Sequence, residues 1–418
     1  MVTVEDHSNS EYSQNIRRIC SRTLDLPPSC LEFLPSGSSS RKTIENPHDY
    51  FVVGTYHLQT SSTEVTSSDN IAADDEDEEP IPSAPKPQER DGSLSLFRFR
   101  DEKLDLIDKI PFPAGILDLH FLLGRQTFAV ASSVGTISFY DFQTQVPSAG
   151  SPANLTFHHI ATHQVFSASE LVLSITFIPN NPSLLLATLN TGEVYLIHFP
   201  SSDFSTYTLL NDELPLSTHG AEAWISAVCP TLQHIYTGGD DAELRIHDIH
   251  LQEVPTSDLS ITLSSKPRGH DAGVTAILPL PGLKDRMFFT GSYDDHVRLY
   301  AIQPNGYAKL ITEKYLGGGV WRLKLLDEEK LEDRPKFRLL ASCMHAGAKI
   351  LEVAHHGEEW SIEEVAWNKE HKSMNYASDV QRLVDGDQNS KRICVSSSFY
   401  DKLLVVWEFD PLVKATSQ

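Results

Sequence analysis

The chain alternates short apolar runs with tight polar turns, and helical spacing is largely absent. Phe288-Phe289-Thr290-Gly291-Ser292, then Tyr293-Asp294-Asp295, then His296-Val297-Arg298-Leu299-Tyr300 reads as strand, turn, strand. Residues 235–248 repeat that pattern around Asp240-Asp241, residues 393–407 around Ser398-Phe399-Tyr400-Asp401, and residues 339–351 around His345-Ala346-Gly347. Weaker copies turn at Ser133-Val134-Gly135 and Asn190-Thr191-Gly192, and a first copy is split by an acidic insertion between 50–58 and 93–99. A further β-rich run precedes each unit, at 30–34, 115–121, 171–178, 223–228, 273–280, 319–325 and 376–383.

Seven units of short strands, repeating at somewhat more than the ~40–45 residues of a standard propeller repeat, predict an all-β chain folded as a seven-bladed β-propeller. Gly269-His270 ahead of a strand and His247-Asp248 behind one, with Tyr140-Asp141 and Trp407-Glu408 as degenerate versions, mark it as the WD-repeat type. His270 is read as a framework histidine of its blade. The last unit lacks a fourth strand, which residues 16–26 can supply beside 404–409, closing the ring and leaving no long exposed edge. The expected organisation is a disordered N-terminus over 1–15, the propeller over 16–410 with a disordered acidic insertion at about 61–90, and a tail over 411–418.

Composition narrows the function. Lys and Arg number 34 against 57 Asp and Glu, a net charge of −23, and no basic cluster is long enough to track phosphates, so nucleic acid is not an expected partner. Five widely spaced cysteines without a Cys-x-x-Cys pair fit a reducing compartment, and no apolar run approaches a membrane span. A cytoplasmic monomer is expected, with no cofactor and no metal.

Four stretches go beyond the generic repeat: Gly317-Gly318-Gly319-Val320-Trp321-Arg322-Leu323-Lys324, Ala341-Ser342-Cys343-Met344-His345-Ala346-Gly347-Ala348-Lys349-Ile350-Leu351, Ser398-Phe399-Tyr400-Asp401, and Glu222-Ala223-Trp224-Ile225 ahead of Tyr236-Thr237-Gly238-Gly239-Asp240-Asp241. Together they resemble the WD-repeat diphthine methyl-esterase family, from about Ala223 to Trp407. The resemblance implies an enzyme of diphthamide biosynthesis. It would hydrolyse the methyl ester of methylated diphthine, formed on a histidine of translation elongation factor 2, and release methanol. The alternative is a non-catalytic WD-repeat scaffold or substrate adaptor, since propellers commonly serve as platforms.

Ester hydrolysis needs an attacking group, a proton carrier and donors for the developing oxyanion. The chain has no Gly-x-Ser-x-Gly elbow and no His-Glu-x-x-His, so any site must be assembled from loops of different blades. His345 stands in the turn where other blades place Asp241, Asp294 and Asp401. It is the candidate general base, with Asp294 or Asp401 orienting it; a turn histidine bonded to backbone is the alternative. Cys343 is the alternative nucleophile to water. Gly317, Gly318 and Gly319 offer unobstructed amides for an oxyanion or carboxylate, or else form a tight link. Arg322 can hold a carboxylate, or else pair with an aspartate from an adjacent blade, and Asp379 is gathered with it among the links between blades. Trp224, Tyr293, Trp321 and Tyr400 are the aromatic faces expected to meet the substrate's quaternary ammonium.

Overall fold

Seven antiparallel sheets, each of four main strands, make up the computed structural model, which describes residues 13–35, 44, 46–59, 89–145, 154–179, 181–229, 234–249, 261–280, 286–329, 335–357, 359–382 and 390–413. Blades 1 to 7 begin with the inner strands Pro28–Phe33, Ile116–Phe121, Val172–Ile178, Ala223–Val228, Val274–Pro279, Arg322–Glu329 and Ala377–Val380. Each chain segment then runs outward through its sheet by antiparallel pairing of successive strands. The outer edge of blade 3 is broken into Thr208–Leu209 and Ser217–Thr218, and blade 1 carries a short extra strand, His57–Leu58. No α-helix occurs among the described residues.

The core lies between the blades. Seven apolar clusters are buried, and each is shared by two neighbours: Phe289, Leu299 and Val297 of blade 5 pack against Leu323, Phe337 and Leu339 of blade 6, for example. The recurrent Thr-Gly of the second strand has a packing cause. A Cβ on Gly291 would lie 2.5 Å from a methyl of Val320, and one on Gly238 2.7 Å from a methyl of Val274, so each glycine admits the inner strand of the next blade. Around the channel, polar side chains tie inner strand to inner strand. Ser29 donates to Ile116 O (2.6 Å), Thr176 to Ser226 O (2.8 Å) and Thr275 to Val320 O (2.6 Å), while Asp118 accepts from Ile175 N–H (3.0 Å) and Asp379 from Phe33 N–H (2.8 Å).

The ring closes as the sequence predicts. Ile16–Thr23 is the outer strand of blade 7 and runs antiparallel to Leu403–Phe409, with Ile16 opposite Phe409 and Thr23 opposite Leu403. Residues 1–12 of the expected disordered N-terminus lie outside the described residues, but Ser13 and Asn15 are buried, and Asn15 donates to Val365 O of blade 6 at 2.8 Å. The expected insertion over 61–90 lies outside them too, apart from its last two residues, and Arg90 already opens the strand Arg90–Arg100. Residues 414–418 of the expected tail are likewise outside.

Candidate active site

Links into each inner strand and turns between second and third strands share one rim, and there the side chains singled out in the sequence divide into two groups. One group is framework. In blade 7, Trp407 Nε1 donates to Ser396 Oγ (3.0 Å), Ser396 Oγ lies 2.7 Å from His371 Nε2, Ser398 Oγ lies 3.0 Å from His371 Nδ1, and Ser398 donates to Asp401. In blade 5, His270 Nε2 lies 2.8 Å from Thr290 Oγ1 and its ring stacks on Tyr300, while Asp294 binds Arg298 at 2.8 Å and accepts from Asp271 N–H at 2.9 Å. Blade 4 repeats the theme with His219, Thr237 and Asp241. Burial pushes His270 and His371 down to about 4, so both are neutral at physiological pH.

This places Asp294 and Asp401 inside their own blades. Burial opposes their charge, but Arg298 and its amide donors hold Asp294 below the usual carboxylate range, and Ser398 and Ser373 do the same for Asp401. No hydrogen bond joins either one to His345. His219, Asp241 and Glu243 converge closely enough to hold a cation, but Arg245 and Lys266 already occupy the carboxylates, at 2.6 and 2.8 Å from Glu243.

The other group forms an aromatic collar. Trp224 lies 5.4 Å from Trp321 and 6.1 Å from Tyr293, centroid to centroid, and Tyr293 lies 5.8 Å from Trp321. The chain of rings continues from Trp321 to Tyr376 (5.1 Å), from Tyr376 to Phe399 (5.6 Å), and from Phe399 to both Tyr400 (5.1 Å) and Tyr56 (6.1 Å). Five blades, 4 through 7 and then 1, thus contribute to a continuous arc. The Arg322 guanidinium sits 5.0 Å over the Trp321 ring and donates to Trp321 O and Thr275 O. At the arc's start Trp224 Nε1 donates to Asp240 Oδ1 (3.0 Å). Burial, with Tyr376, Asp240 and Glu222 nearby, raises the Tyr293 phenol.

His345 is exposed on the turn beside this arc, and its ring has no hydrogen-bond partner among the described residues. The turn itself is pinned from both sides. Asn375 N–H donates to Met344 O (3.0 Å), and the Gly317–Gly319 link packs so closely that a Cβ on Gly318 would strike Cys343 O and one on Gly319 would lie 2.5 Å from Met344 Sδ. Gly317 also takes φ +74°, which favours glycine. The three amides have no backbone acceptor among the described residues. Cys343 is fully buried, and burial pushes its thiol up to about 12. Asp379, expected among the links, instead stands in the inner strand of blade 7, inside the channel and 3.7 Å from Lys324.

Sequence reading missed Tyr56, Tyr376 and Phe399 as members of the collar. Phe399 and Tyr376 adjoin residues that were singled out. Tyr56 sits at the mouth of the insertion, where no repeat copy fixes its position. It also missed a charged cluster in the channel: His120 Nδ1 lies 2.8 Å from Glu32 Oε2, and Nε2 lies 3.4 Å from Asp118 Oδ2. The signal was present, because Ile116-Leu117-Asp118-Leu119-His120 alternates with period two and puts both polar groups on one face.

Fold and rim define a seven-bladed β-propeller of the WD-repeat type with an aromatic and acidic collar at one end of its channel. Compared with known proteins, the chain is 27% identical over 364 residues to the diphthine methyltransferase of Saccharomyces cerevisiae, covering 76% of this chain and 88% of that protein. It is 29% identical over 322 residues to the diphthine methyltransferase of Schizosaccharomyces pombe, covering 76% and 86%. The chain is a homologue of these proteins over most of its length, in line with the resemblance read from its motifs. No family model matches it. A chain in the crystal structure of the mitotic checkpoint complex superposes with TM-score 0.54 over 93% of both chains at 12% identity, a likeness of fold alone.

Proposed function

We propose that this protein is a carboxylic-ester hydrolase that removes the methyl ester from methylated diphthine on translation elongation factor 2. The observation that carries the reading is the continuous aromatic arc from Trp224 to Tyr56, with Asp240 and Glu222 at one end. Ring faces and carboxylates are what a quaternary ammonium binds, at about 0.5–2 kcal/mol per well-placed ring. The net charge of −23 further favours a cationic group presented by a partner protein.

In this mechanism the attacking group is water, because the Cys343 thiol is buried and holds its proton. His345 takes a proton from the water as its oxygen bonds to the ester carbonyl. The oxyanion that forms is met by amides of the Gly317–Gly319 link. As the carbonyl re-forms, methoxide leaves with the proton returned by His345, giving methanol and the diphthine carboxyl group. Arg322, anchored on Trp321, orients the carboxyl end, and Trp224, Tyr293, Trp321, Tyr376 and Tyr400 hold the ammonium end.

The names of the curated relatives say methyltransferase, and one measurement separates that chemistry from hydrolysis. Purified protein is incubated with elongation factor 2 carrying the methyl-ester intermediate and the intact mass of the factor is followed, with and without S-adenosylmethionine. Hydrolysis lowers the mass by one CH2 unit without added methyl donor. A gain that requires the donor overturns it, and tight binding with no mass change returns the scaffold reading.

A further inference from the structure

Inner strands run away from the collar, and along them, from Arg322 downward, the channel holds a cavity of about 580 Å³. That size is ordinary for a small-ligand site. One wall is apolar, with Phe121, Ile175, Phe177, Ile225 and Ile277 among its residues. The ionisable side chains on its surface are Glu32, His120, Arg125, Arg322, Lys324 and Arg382. Burial alone would lower His120, but Asp118 and Glu32 overcome it and hold the imidazole at about 10, so it is a cation at neutral pH. Five cations therefore face one carboxylate. Even counting Asp118 and Asp379, each of which accepts one backbone amide beside the cavity, the cations exceed the anions by two among the described residues.

Such an excess is the reverse of the molecule as a whole, whose net charge is −23. The excess also has a place. Lys324 faces Asp379, and His120 lies between Glu32 and Asp118, whereas the guanidinium groups of Arg382 and Arg125 have no ion-pair or hydrogen-bond partner among the described residues. Burial opposes the Lys324 charge, but Asp379, Glu32 and Asp118 outweigh it and hold the ammonium above its ordinary range, with the nearby Arg382 acting in the opposite sense. Cations without a partner among the described residues, at the edge of an apolar pocket, are complementary to an anion attached to a hydrophobic body.

We infer that this cavity is a second binding site, below the collar and bordering it at Arg322, for a small organic anion whose apolar body lies along Ile175 and Phe177 and whose anionic head meets Arg382. The inference does not depend on the reaction proposed for the collar. It is tested on the full chain with anilinonaphthalene sulfonate, an apolar ring system bearing a sulfonate, read by fluorescence and by calorimetric stoichiometry. The expected result is one site per chain, weakened about 10-fold or more by Arg382→Gln, the factor that loss of one charge-assisted contact of ~1.4 kcal/mol gives. Octanoate should displace the probe, while octylammonium and inorganic phosphate at the same concentration should not. Several equivalent sites, displacement by octylammonium as effective as by octanoate, or unchanged affinity in Arg382→Gln overturns it as nonspecific apolar adsorption. Displacement by phosphate equal to that by octanoate overturns the apolar half of the assignment.

Discussion

His120 Nδ1 stands 2.8 Å from Glu32 Oε2, so a protonated imidazole of blade 2 donates to a carboxylate of blade 1 at the channel wall. Because the folded state holds His120 at about 10 against its ordinary 6.5, the contribution to stability is complete below pH 6.5 and is lost as pH rises through about 10. His120→Ala leaves Glu32 and Asp118 without their shared cation and should cost on the order of 3 kcal/mol at pH 7, with a smaller cost at pH 10.5. Chemical denaturation of both proteins at the two pH values checks this. An equal cost at both would show that the loss is one of packing.

Acid should unfold the protein through its framework histidines. Burial holds His247, His270 and His371 at about 4, below their ordinary 6.5, so the unfolded chain binds protons first. Stability is full above pH 6.5 and falls as pH drops from there to 4. Tryptophan fluorescence across that range should show the loss, and His371→Gln should flatten its slope.

Removing residues 1–23 takes away the outer strand of blade 7 and leaves Leu403–Phe409 with an unpaired edge. Melting temperature should fall by at least about 10 °C and soluble yield should drop, since edge strands are templates for association. A thermal scan with light scattering reads both, and unchanged melting would deny the strand its closing role.

Within the collar, Trp321→Leu and Tyr376→Leu should each raise KM for the methylated substrate by about 3- to 30-fold with little change in melting, the loss of one cation–π face. Trp407→Leu, which removes a fully buried ring bonded to Ser396, should instead lower stability and leave KM alone.

His345→Ala should lower kcat by about 10²–10⁴-fold with the fold intact, as removal of a positioned proton carrier does. His270→Ala should mainly destabilise, and Cys343→Ala should keep its activity. Rate and melting curves on the three variants separate the roles. A wild-type rate for His345→Ala together with a folded but inactive Cys343→Ala would transfer the chemistry to the thiol.

What could be read without coordinates was whatever a repeat enforces locally. Thr290-Gly291 and Thr237-Gly238 recur because each glycine must admit the next blade's valine, and a need shared by neighbouring blades leaves a visible period. The pairing of 16–26 with 404–409 was also legible, because an unfinished last blade and a spare first strand can satisfy each other, and the structure pairs Ile16–Thr23 with Leu403–Phe409. The collar was partly legible: turns and links were known to share a rim, which gathered Trp224, Tyr293, Trp321 and Tyr400, but which rings touch depends on blade-to-blade rotation. Tyr376 and Tyr56 therefore escaped notice. Asp379 is a link residue by the repeat pattern, but inner strands begin right at the rim, and a shift of a few residues carries its side chain into the channel. Asp294 and Asp401 carry chemistry that their blades already use: Arg298 and the Asp271 amide engage Asp294, and Ser398 and Ser373 engage Asp401.

The pairing of Ile16–Thr23 with Leu403–Phe409 also sets a clock. From Thr23 to Leu403 the ribosome must add 380 residues, which at ~5–20 residues per second takes about 20–80 s. Throughout that interval the earliest strand of the nascent chain has no partner, and blades that have already formed present an open arc whose first blade cannot yet meet its last. Yield should therefore respond to synthesis rate and to chaperone occupancy of that one segment, as well as to the stability of the finished ring. A circularly permuted gene that starts at the inner strand of blade 1 and carries residues 13–27 after 413 would emit the closing strand immediately after its partner, shortening the wait to about a second or two.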